Sequence, residues 1–215
     1  MGLLRPIKAR YVRRHEEAGD VTAFAFRPDR PLRHVAGQHG FFVLPGAGMK
    51  PFSIASAPED LDLLIATRLG SGSTYKTALA ALQPGDVVKV RGPLARFTLD
   101  GSADEILLIA QGVGITPFRS VLRHLRQACV RKHSTLVHVA SAHAFRHETE
   151  QLATRALYPA GAEQFQLDVK RAAYERPGAT CYLAGAPAFV AEAAALLAES
   201  GIAKKQIKRD SFRGY

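Results

Sequence analysis

The hydrophobic pattern of the chain changes its period near residue 101, and this change limits the fold more than any other feature. Before it, short runs of alternating apolar and polar residues are separated by turn sequences such as 45–48 and 83–86, a pattern typical of antiparallel sheets. After it, continuous apolar runs alternate with helical patterns, as in parallel sheets covered by helices. The sequence therefore predicts an antiparallel β-barrel domain over residues 1–101 and a doubly wound parallel-sheet domain over residues 102–215.

The same patterns predict the individual elements. In the first half they predict a helix over 74–82 and strands at 7–14, 21–26, 38–44, 52–56, 61–67 and 87–91. In the second half they predict strands at 105–110, 135–140, 164–169 and 180–184, and helices at about 146–157 and 187–200. A further helix would place one apolar face on the residues Phe118, Val121, Leu122, Leu125 and Cys129.

The composition is that of an ordinary globular protein, with a formal net charge of +10. No apolar run reaches the ~20 residues that span a bilayer, and the first residues lack the apolar core of a signal peptide. We therefore expect a cytoplasmic protein without a stable membrane anchor. Cys129 and Cys181 are predicted to be core residues, and no set of residues has metal-ligand spacing, so no metal is expected.

A glycine loop follows the first apolar strand of the second half, in "LLIAQGVGITPF". Gly112 and Gly114 would let the backbone turn tightly and approach a pyrophosphate, whose charge the following helix N-terminus stabilises. Thr116 suits the N-cap of that helix and Pro117 its first position. The strand before the loop and the helix after it are the context that a dinucleotide site requires. The alternative is a tight turn that binds nothing.

The end of the second strand bears on the choice of dinucleotide. NAD sites usually carry an acidic residue there, which holds the ribose 2′-hydroxyl. In this sequence Ser141 and Arg146 precede the first acid, Glu148, and they could receive a 2′-phosphate. This favours NADP(H) over NAD(H), although Arg146 could equally be a solvated residue in the first turn of a helix.

Four motifs in this order resemble those of the ferredoxin–NADP⁺ reductase superfamily, over nearly the whole chain. They are "KPFS" (50–53), "GSGST" (70–74), "GVGITP" (112–117) and "YLAGAPAFV" (182–190). The terminal "DSFRGY" (210–215) resembles the chain ends of short bacterial members. The resemblance implies a flavoenzyme that binds FAD on the barrel and NAD(P)H on the parallel-sheet domain. Nucleic-acid binding is a poor alternative explanation of the positive charge, because these motifs account better for an affinity for phosphate.

The resemblance gives the first motif, from Lys50 through Pro51 to Ser53, the role of a flavin shelf. It implies that Lys50 contacts the flavin phosphate, that Phe52 packs along the flavin, and that Ser53 approaches the reactive N5 atom. The family has arginine where this chain has Lys50, and a lysine cannot make the two-pronged contact of a guanidinium.

The other cofactor residues implied by the resemblance lie in the later motifs. They are Gly72, Ser73, Thr74, Gly185, Phe212 and Tyr215. The first three would present backbone N–H groups and hydroxyls to phosphate, and Gly185 would let the backbone approach the nicotinamide. Phe212, or alternatively Tyr215, would be an aromatic near the flavin that moves before hydride transfer, or else an aromatic that closes the core. Ala184 replaces the cysteine common in the family, so thiol chemistry is not expected there.

The predicted activity is therefore that of an NAD(P)H-dependent flavoprotein reductase that passes electrons to an acidic carrier protein, such as a ferredoxin or flavodoxin, or to an oxygenase partner. One alternative is a reductase of free flavin or of small acceptors, and another is an electron-transfer subunit active only within a larger complex. No acidic residue occurs from Ile106 to His147. Within this stretch Arg119, Arg123 and Arg126 share one helix face, which is either a docking surface for the carrier or simply solvated.

Overall fold

The structure is a computed structural model that describes residues 5–70, 72–94, 97–99 and 103–212. In those ranges the strands are β1 (Ile7–Glu16), β2 (Val21–Pro28), β3 (His39–Leu44), β4 (Gly48–Ser53), β5 (Leu63–Arg68), β6 (Val87–Leu94), β7 (Glu105–Gln111), β8 (His133–Val139), β9 (Arg155–Leu157), β10 (Thr180–Gly185) and β11 (Ile207–Ser211). The helices are α1 (Thr74–Ala80), α2 (Ile115–Gln127), α3 (Arg146–Leu152), α4 (Ala162–Glu175) and α5 (Pro187–Glu199).

The first sheet is antiparallel, with the strand order β4-β3-β6-β1-β2-β5. Its two edges approach each other just beyond β4, where the Ala55 N–H donates to the Leu64 carbonyl over 2.7 Å, so the sheet curls into a barrel. Phe24, Phe26 and Phe42 are fully buried inside it. The predicted antiparallel first half is confirmed.

The second sheet is entirely parallel, with the order β11-β10-β7-β8-β9. Alternate residues of β7 point to opposite faces: Leu108 packs in the cluster that includes α2, whereas Leu107 and Ile109 pack with α4 and α5. Both faces are therefore covered, which explains why its strands are continuous apolar runs. The predicted doubly wound sheet is confirmed.

Two predicted strands are wrong in position or in kind. The strand predicted at 52–56 lies at Gly48–Ser53, and Pro51 is accommodated inside it because β4 is an edge strand. The segment 164–169 belongs to α4. Its apolar alternation is misleading, since Leu167 is 57% exposed while Phe165 and Val169, one helical turn apart, are buried.

The end of the chain and the region after α3 also differ from prediction. The helix predicted at 146–157 ends at Leu152, and Arg155–Leu157 forms the edge strand β9. The strand β11 was not predicted, because an edge strand rich in charge has no apolar periodicity. Cys181 is buried as predicted, but Cys129 is exposed just beyond the end of α2, so its predicted place in the core is wrong.

The predicted domain boundary at residue 101 lies outside the described residues and stays a prediction. Among the described residues, no helix combines the length and the apolar character needed to cross a lipid bilayer.

The helix α2 joins the two sheets. Arg123 donates to Asp60 (Nε to Oδ2, 2.8 Å), which follows β4 in the first half, and it also pairs with Glu148 of α3. Arg119 donates to the same Glu148 carboxylate (2.7 Å) and to the Ala55 carbonyl (2.7 Å). The two arginines therefore serve the contact between the halves, and their predicted position on a solvated or partner-facing surface is wrong.

Replacing Arg123 tests how much this contact contributes to stability. We expect R123M to lower the free energy of unfolding by about 2–3 kcal/mol, because it leaves the carboxylates of Asp60 and Glu148 without their main partner. The matched control is R126M on the same helix, where the arginine is exposed and has no ion-pair partner in the described ranges. Chemical denaturation measures both changes, and equal losses would contradict a special role for Arg123.

Candidate functional site

A cleft lies between the edge of the first sheet and the end of β11. Its volume is about 330 Å³, which is in the range of small-molecule sites. It is lined by His39, Phe41, Pro51, Phe52, Ser53, Asp210, Ser211 and Phe212. Four of these were predicted to be cofactor residues, so the fold brings two distant motifs, around residues 51–53 and 210–212, to one cavity.

Ser53 carries the most informative atom of the cleft. It is the last residue of β4, only 7% of it is exposed, and its Oγ is buried without a hydrogen-bond partner in the described part of the chain. A buried hydroxyl without a partner costs about 1–3 kcal/mol. The cleft therefore fits a ligand that exchanges a hydrogen bond with Ser53, as a flavin would.

Phe52 connects this cleft to the barrel core and to α1. Its ring centroid lies 5.9 Å from that of Phe42 and 5.8 Å from that of Tyr75. Tyr75 lies in the first turn of α1, and its hydroxyl donates to the Phe42 carbonyl (2.9 Å). These contacts hold the start of α1 against β3 and β4.

The predicted phosphate residues lie on these same elements. Ser73 is the N-cap of α1 and accepts a hydrogen bond from the Lys76 N–H, Thr74 is the first helical residue, and Gly72 has a left-handed φ of +59°. Lys50 is exposed on β4 and does not line the cleft.

Phe212 links the cleft to the second sheet. Its N–H donates to the Gly185 carbonyl at the end of β10 (3.0 Å), and its side chain packs partly on the core that contains α2. Gly185 is itself tightly packed, because a Cβ there would lie 2.8 Å from Cβ of Gln111. Tyr215, the alternative aromatic, lies outside the described residues.

Sequence analysis missed two titratable residues in the cleft, His39 of β3 and Asp210 of β11. Burial raises the pKa of Asp210, and the nearby His39 partly opposes that shift. Burial lowers the pKa of His39, and Asp210 partly opposes it. His39 lies in the first sheet and Asp210 in the second. The sequence could have indicated their proximity only through a prediction of strand β11, which was not made.

The glycine loop lies at the carboxyl end of β7. Gly112–Gly114 form one turn of 3-10 helix that leads directly into α2. A Cβ on Gly114 would lie 2.3 Å from the Ala184 carbonyl oxygen, so only glycine fits where the loop meets β10. Sequence analysis was wrong about the cap: Gly114 is the N-cap of α2, while Thr116 and Pro117 lie inside its first turn.

The end of β8 holds the residues predicted to choose between dinucleotides. Ser141 is exposed in the loop, and Arg146 is the first residue of α3. The Arg146 guanidinium lies 4.4 Å from the centre of the Tyr158 ring and pairs with Glu150 over 3.0 Å. Beneath them, the His143 ring contacts both Tyr158 (4.8 Å between centroids) and His138 (4.9 Å).

Comparison with known proteins finds two sequence relatives whose names describe electron transfer or ferredoxin–NADP reduction. The chain is 32% identical over 134 residues to a probable dihydroorotate dehydrogenase B (NAD(+)) electron transfer subunit of Methanopyrus kandleri, covering 62% of this chain and 49% of that protein. It is 39% identical over 126 residues to ferredoxin–NADP reductase B of Sorangium cellulosum, covering 54% and 47%. No protein-family model matches the chain.

A solved structure agrees over almost the whole length. The FAD/NAD-binding domain of a nitric oxide dioxygenase from Vibrio cholerae superposes with a TM-score of 0.77 at 21% identity, over 96% of this chain and 98% of that one. A ferredoxin–NADP⁺ reductase from Plasmodium falciparum superposes with a TM-score of 0.76 at 13% identity, over 96% of each chain. The chain has the ferredoxin–NADP⁺ reductase fold. The resemblance indicated by the sequence motifs is thus confirmed. The chain spans about half the length of the two sequence relatives.

His138 gives a prediction about pH. Burial lowers its pKa from 6.5 to about 4, so the folded protein keeps it neutral while the unfolded chain takes up a proton below about pH 6.5. Stability is therefore lost as the pH falls from about 6.5 to about 4, by roughly 2–3 kcal/mol for this residue.

Denaturation of the wild type and of H138Q at pH 7 and pH 4.5 measures this contribution. The wild type should lose more of its free energy of unfolding on acidification than H138Q, because the glutamine at position 138 takes up no proton in this pH range. The same loss in both proteins would contradict the burial of a neutral imidazole.

Proposed function

We propose that this chain is a flavin-dependent oxidoreductase that binds FAD along β4 and α1 and NAD(P)H at the carboxyl edge of the second sheet. The observation that carries the proposal is the Ser53 hydroxyl, buried without a hydrogen-bond partner in the described part of the chain. It lies in a cleft whose wall residue Phe212 donates a hydrogen bond to Gly185, at the carboxyl end of β10. The similarity to a ferredoxin–NADP reductase and the fold shared with an FAD/NAD-binding domain support it.

Each cofactor residue has a proposed role. Ser53 donates or accepts a hydrogen bond at the reacting edge of the ring system, and Phe52 and Phe212 flank that ring system. The cation of Lys50 and the N-terminal turn of α1, with Gly72, Ser73 and Thr74, hold the phosphates. When bound, FAD would supply the hydride-accepting centre and the ability to release electrons singly.

The second sheet would bind the dinucleotide. The pyrophosphate lies at the loop Gly112–Gly114 and the first turn of α2, where Thr116 and Pro117 shape the backbone, and Gly185 lets the nicotinamide approach. Because Arg146 is held on the Tyr158 ring, a 2′-phosphate would meet a preorganised guanidinium. This favours NADP(H), with NAD(H) as the alternative.

A spectrum of the purified protein tests the proposal. We expect bound flavin with absorption bands that are bleached by NADPH or NADH under anaerobic conditions. S53A should keep the flavin but bleach about 10- to 100-fold more slowly, because it removes a hydrogen bond at the reacting atoms. A protein that neither contains flavin nor can be reconstituted with it would refute the proposed function.

We further propose that the electron acceptor is an acidic carrier protein. Because Arg119 and Arg123 are occupied between the sheets, another surface must supply the attraction. Lys8, Lys89 and Arg91 are exposed on the outer face of the first sheet. The pairs Lys8–Lys89 and Arg91–Phe41 lie opposite each other on neighbouring strands, so this basic face adjoins the cleft wall at Phe41. No ion pair involves these three cations in the described ranges.

Charge reversal tests this surface. The double variant K8E/K89E should raise KM for an acidic flavodoxin about tenfold at low ionic strength, and the difference should vanish near 0.5 M salt, where such fields are screened. Reduction of a neutral quinone should not change. The matched control R126E/R131E carries the same charge change on α2 and beyond it. A loss confined to that control would place the carrier on α2 instead.

A further inference from the structure

His138 is the buried titratable residue that the proposed function leaves unused. It lies on β8, in register with Ala110 of β7, and none of its surface is exposed. The two residues before it on the strand, Leu136 and Val137, are aliphatic and fully buried, and a histidine with no exposed surface is unusual beside them. An aliphatic side chain could fill this space, so a specific polar contact must account for the imidazole.

That contact is with the glycine loop. The His138 Nε2 lies 2.9 Å from the Gly112 carbonyl oxygen. Since a carbonyl can only accept, Nε2 must carry the hydrogen and donate it. The Ile115 N–H donates to the same oxygen from the start of α2, so the Gly112 carbonyl accepts two hydrogen bonds at once.

This double contact fixes the direction of the Gly112 peptide. Gly112 has a left-handed φ of +54°. A glycine can also adopt several other backbone conformations of similar energy, so contacts must select this one. Without the imidazole, one of the two bonds that hold the carbonyl is lost and the loop gains freedom. The Arg68 guanidinium of β5 also lies close, because a Cβ on Gly112 would be 3.3 Å from its Nη2. The loop therefore sits between a neutral donor and a cation.

The surroundings of the ring keep it neutral. The His138 Nδ1 is buried with no hydrogen-bond partner in the described part of the chain, and the His143 ring packs against it. Burial and the nearby His143 lower the His138 pKa to about 4, despite the bond to Gly112. Above that pH the imidazole donates from Nε2 alone.

We propose that His138 is a positioning residue for the dinucleotide pyrophosphate: it holds the Gly112 carbonyl back so that the N–H groups at the start of α2 face the anion. This rests on the proposed function, since it presumes a dinucleotide at the loop. Helix N-termini bind anions through N–H groups that have no partner within the helix. A carbonyl oxygen turned into that position would repel the phosphates.

Three variants test the proposal. H138L removes the donor, H138Q retains an N–H of similar reach, and T135V is the control for loss of a buried polar group on the same strand. Thr135 is opposite Leu107 and Arg155, at the far end of the strands from the loop. H138L should weaken binding of NADP⁺ or NAD⁺ about five- to tenfold in calorimetric titrations, the scale of one hydrogen bond. KM for NAD(P)H should rise by the same factor with kcat and flavin content unchanged.

The controls separate positioning from packing. H138Q should restore binding to within about twofold of the wild type, and T135V should not change it. Equal dinucleotide affinity in H138L and the wild type would overturn the proposal, as would a loss in H138Q as large as that in H138L. A wild type that binds neither dinucleotide would refute the proposed function itself.

A second measurement needs no variant. Nitrogen-15 NMR of the wild-type histidines reports which ring nitrogen carries the proton. The expected result for His138 is the Nε2–H tautomer from pH 6 to 8, with no titration in that range. An Nδ1–H tautomer would overturn the proposal, because Nε2 could then not donate to Gly112.

Discussion

The ion-paired contact of α2 with the segment after β4 is the constraint on which the rest of the structure depends. Arg123 bridges Asp60 and Glu148, and Arg119 ties the same carboxylate to the Ala55 carbonyl. The Ser120 hydroxyl adds a hydrogen bond to the Ser56 carbonyl. The first-half partners in these bonds, Ala55, Ser56 and Asp60, lie only a few positions after Ser53. The bonds therefore fix the end of β4 relative to α2 and to the glycine loop that precedes α2.

The cleft results from that arrangement. Its two walls come from strands more than 150 positions apart in sequence, and a hydrogen bond from Phe212 to Gly185 ties one of these walls to β10. The tight packing of Gly114 against Ala184 and of Gly185 against Gln111 brings the glycine loop and the end of β10 together. One rigid framework thus sets the geometry at both proposed cofactor sites, which is what hydride transfer between two bound cofactors requires.

The positive charge of the chain divides into two groups with different physical roles. Arginines at the junction of the sheets are paired and partly buried, where they stabilise the packing of the halves. Lys8, Lys89 and Arg91 on the outer face of the first sheet have no ion-pair partner in the described ranges and contribute a long-range field. A count of charges along the sequence cannot distinguish them, because the distinction depends on where the acidic residues Asp60 and Glu148 lie in space.

The sequence by itself determined the two fold types, because period-two and continuous apolar patterns reflect one-sided and two-sided burial. It also indicated Ser53, the glycine loop and Phe212, whose motifs are local. It misassigned 164–169 and missed β11, since an amphipathic helix can imitate alternation over six residues and an edge strand buries little. Only the tertiary structure decided that Asp210 faces His39 and that His138 holds Gly112, because these contacts join residues from different strands whose local sequence carries no trace of the partner.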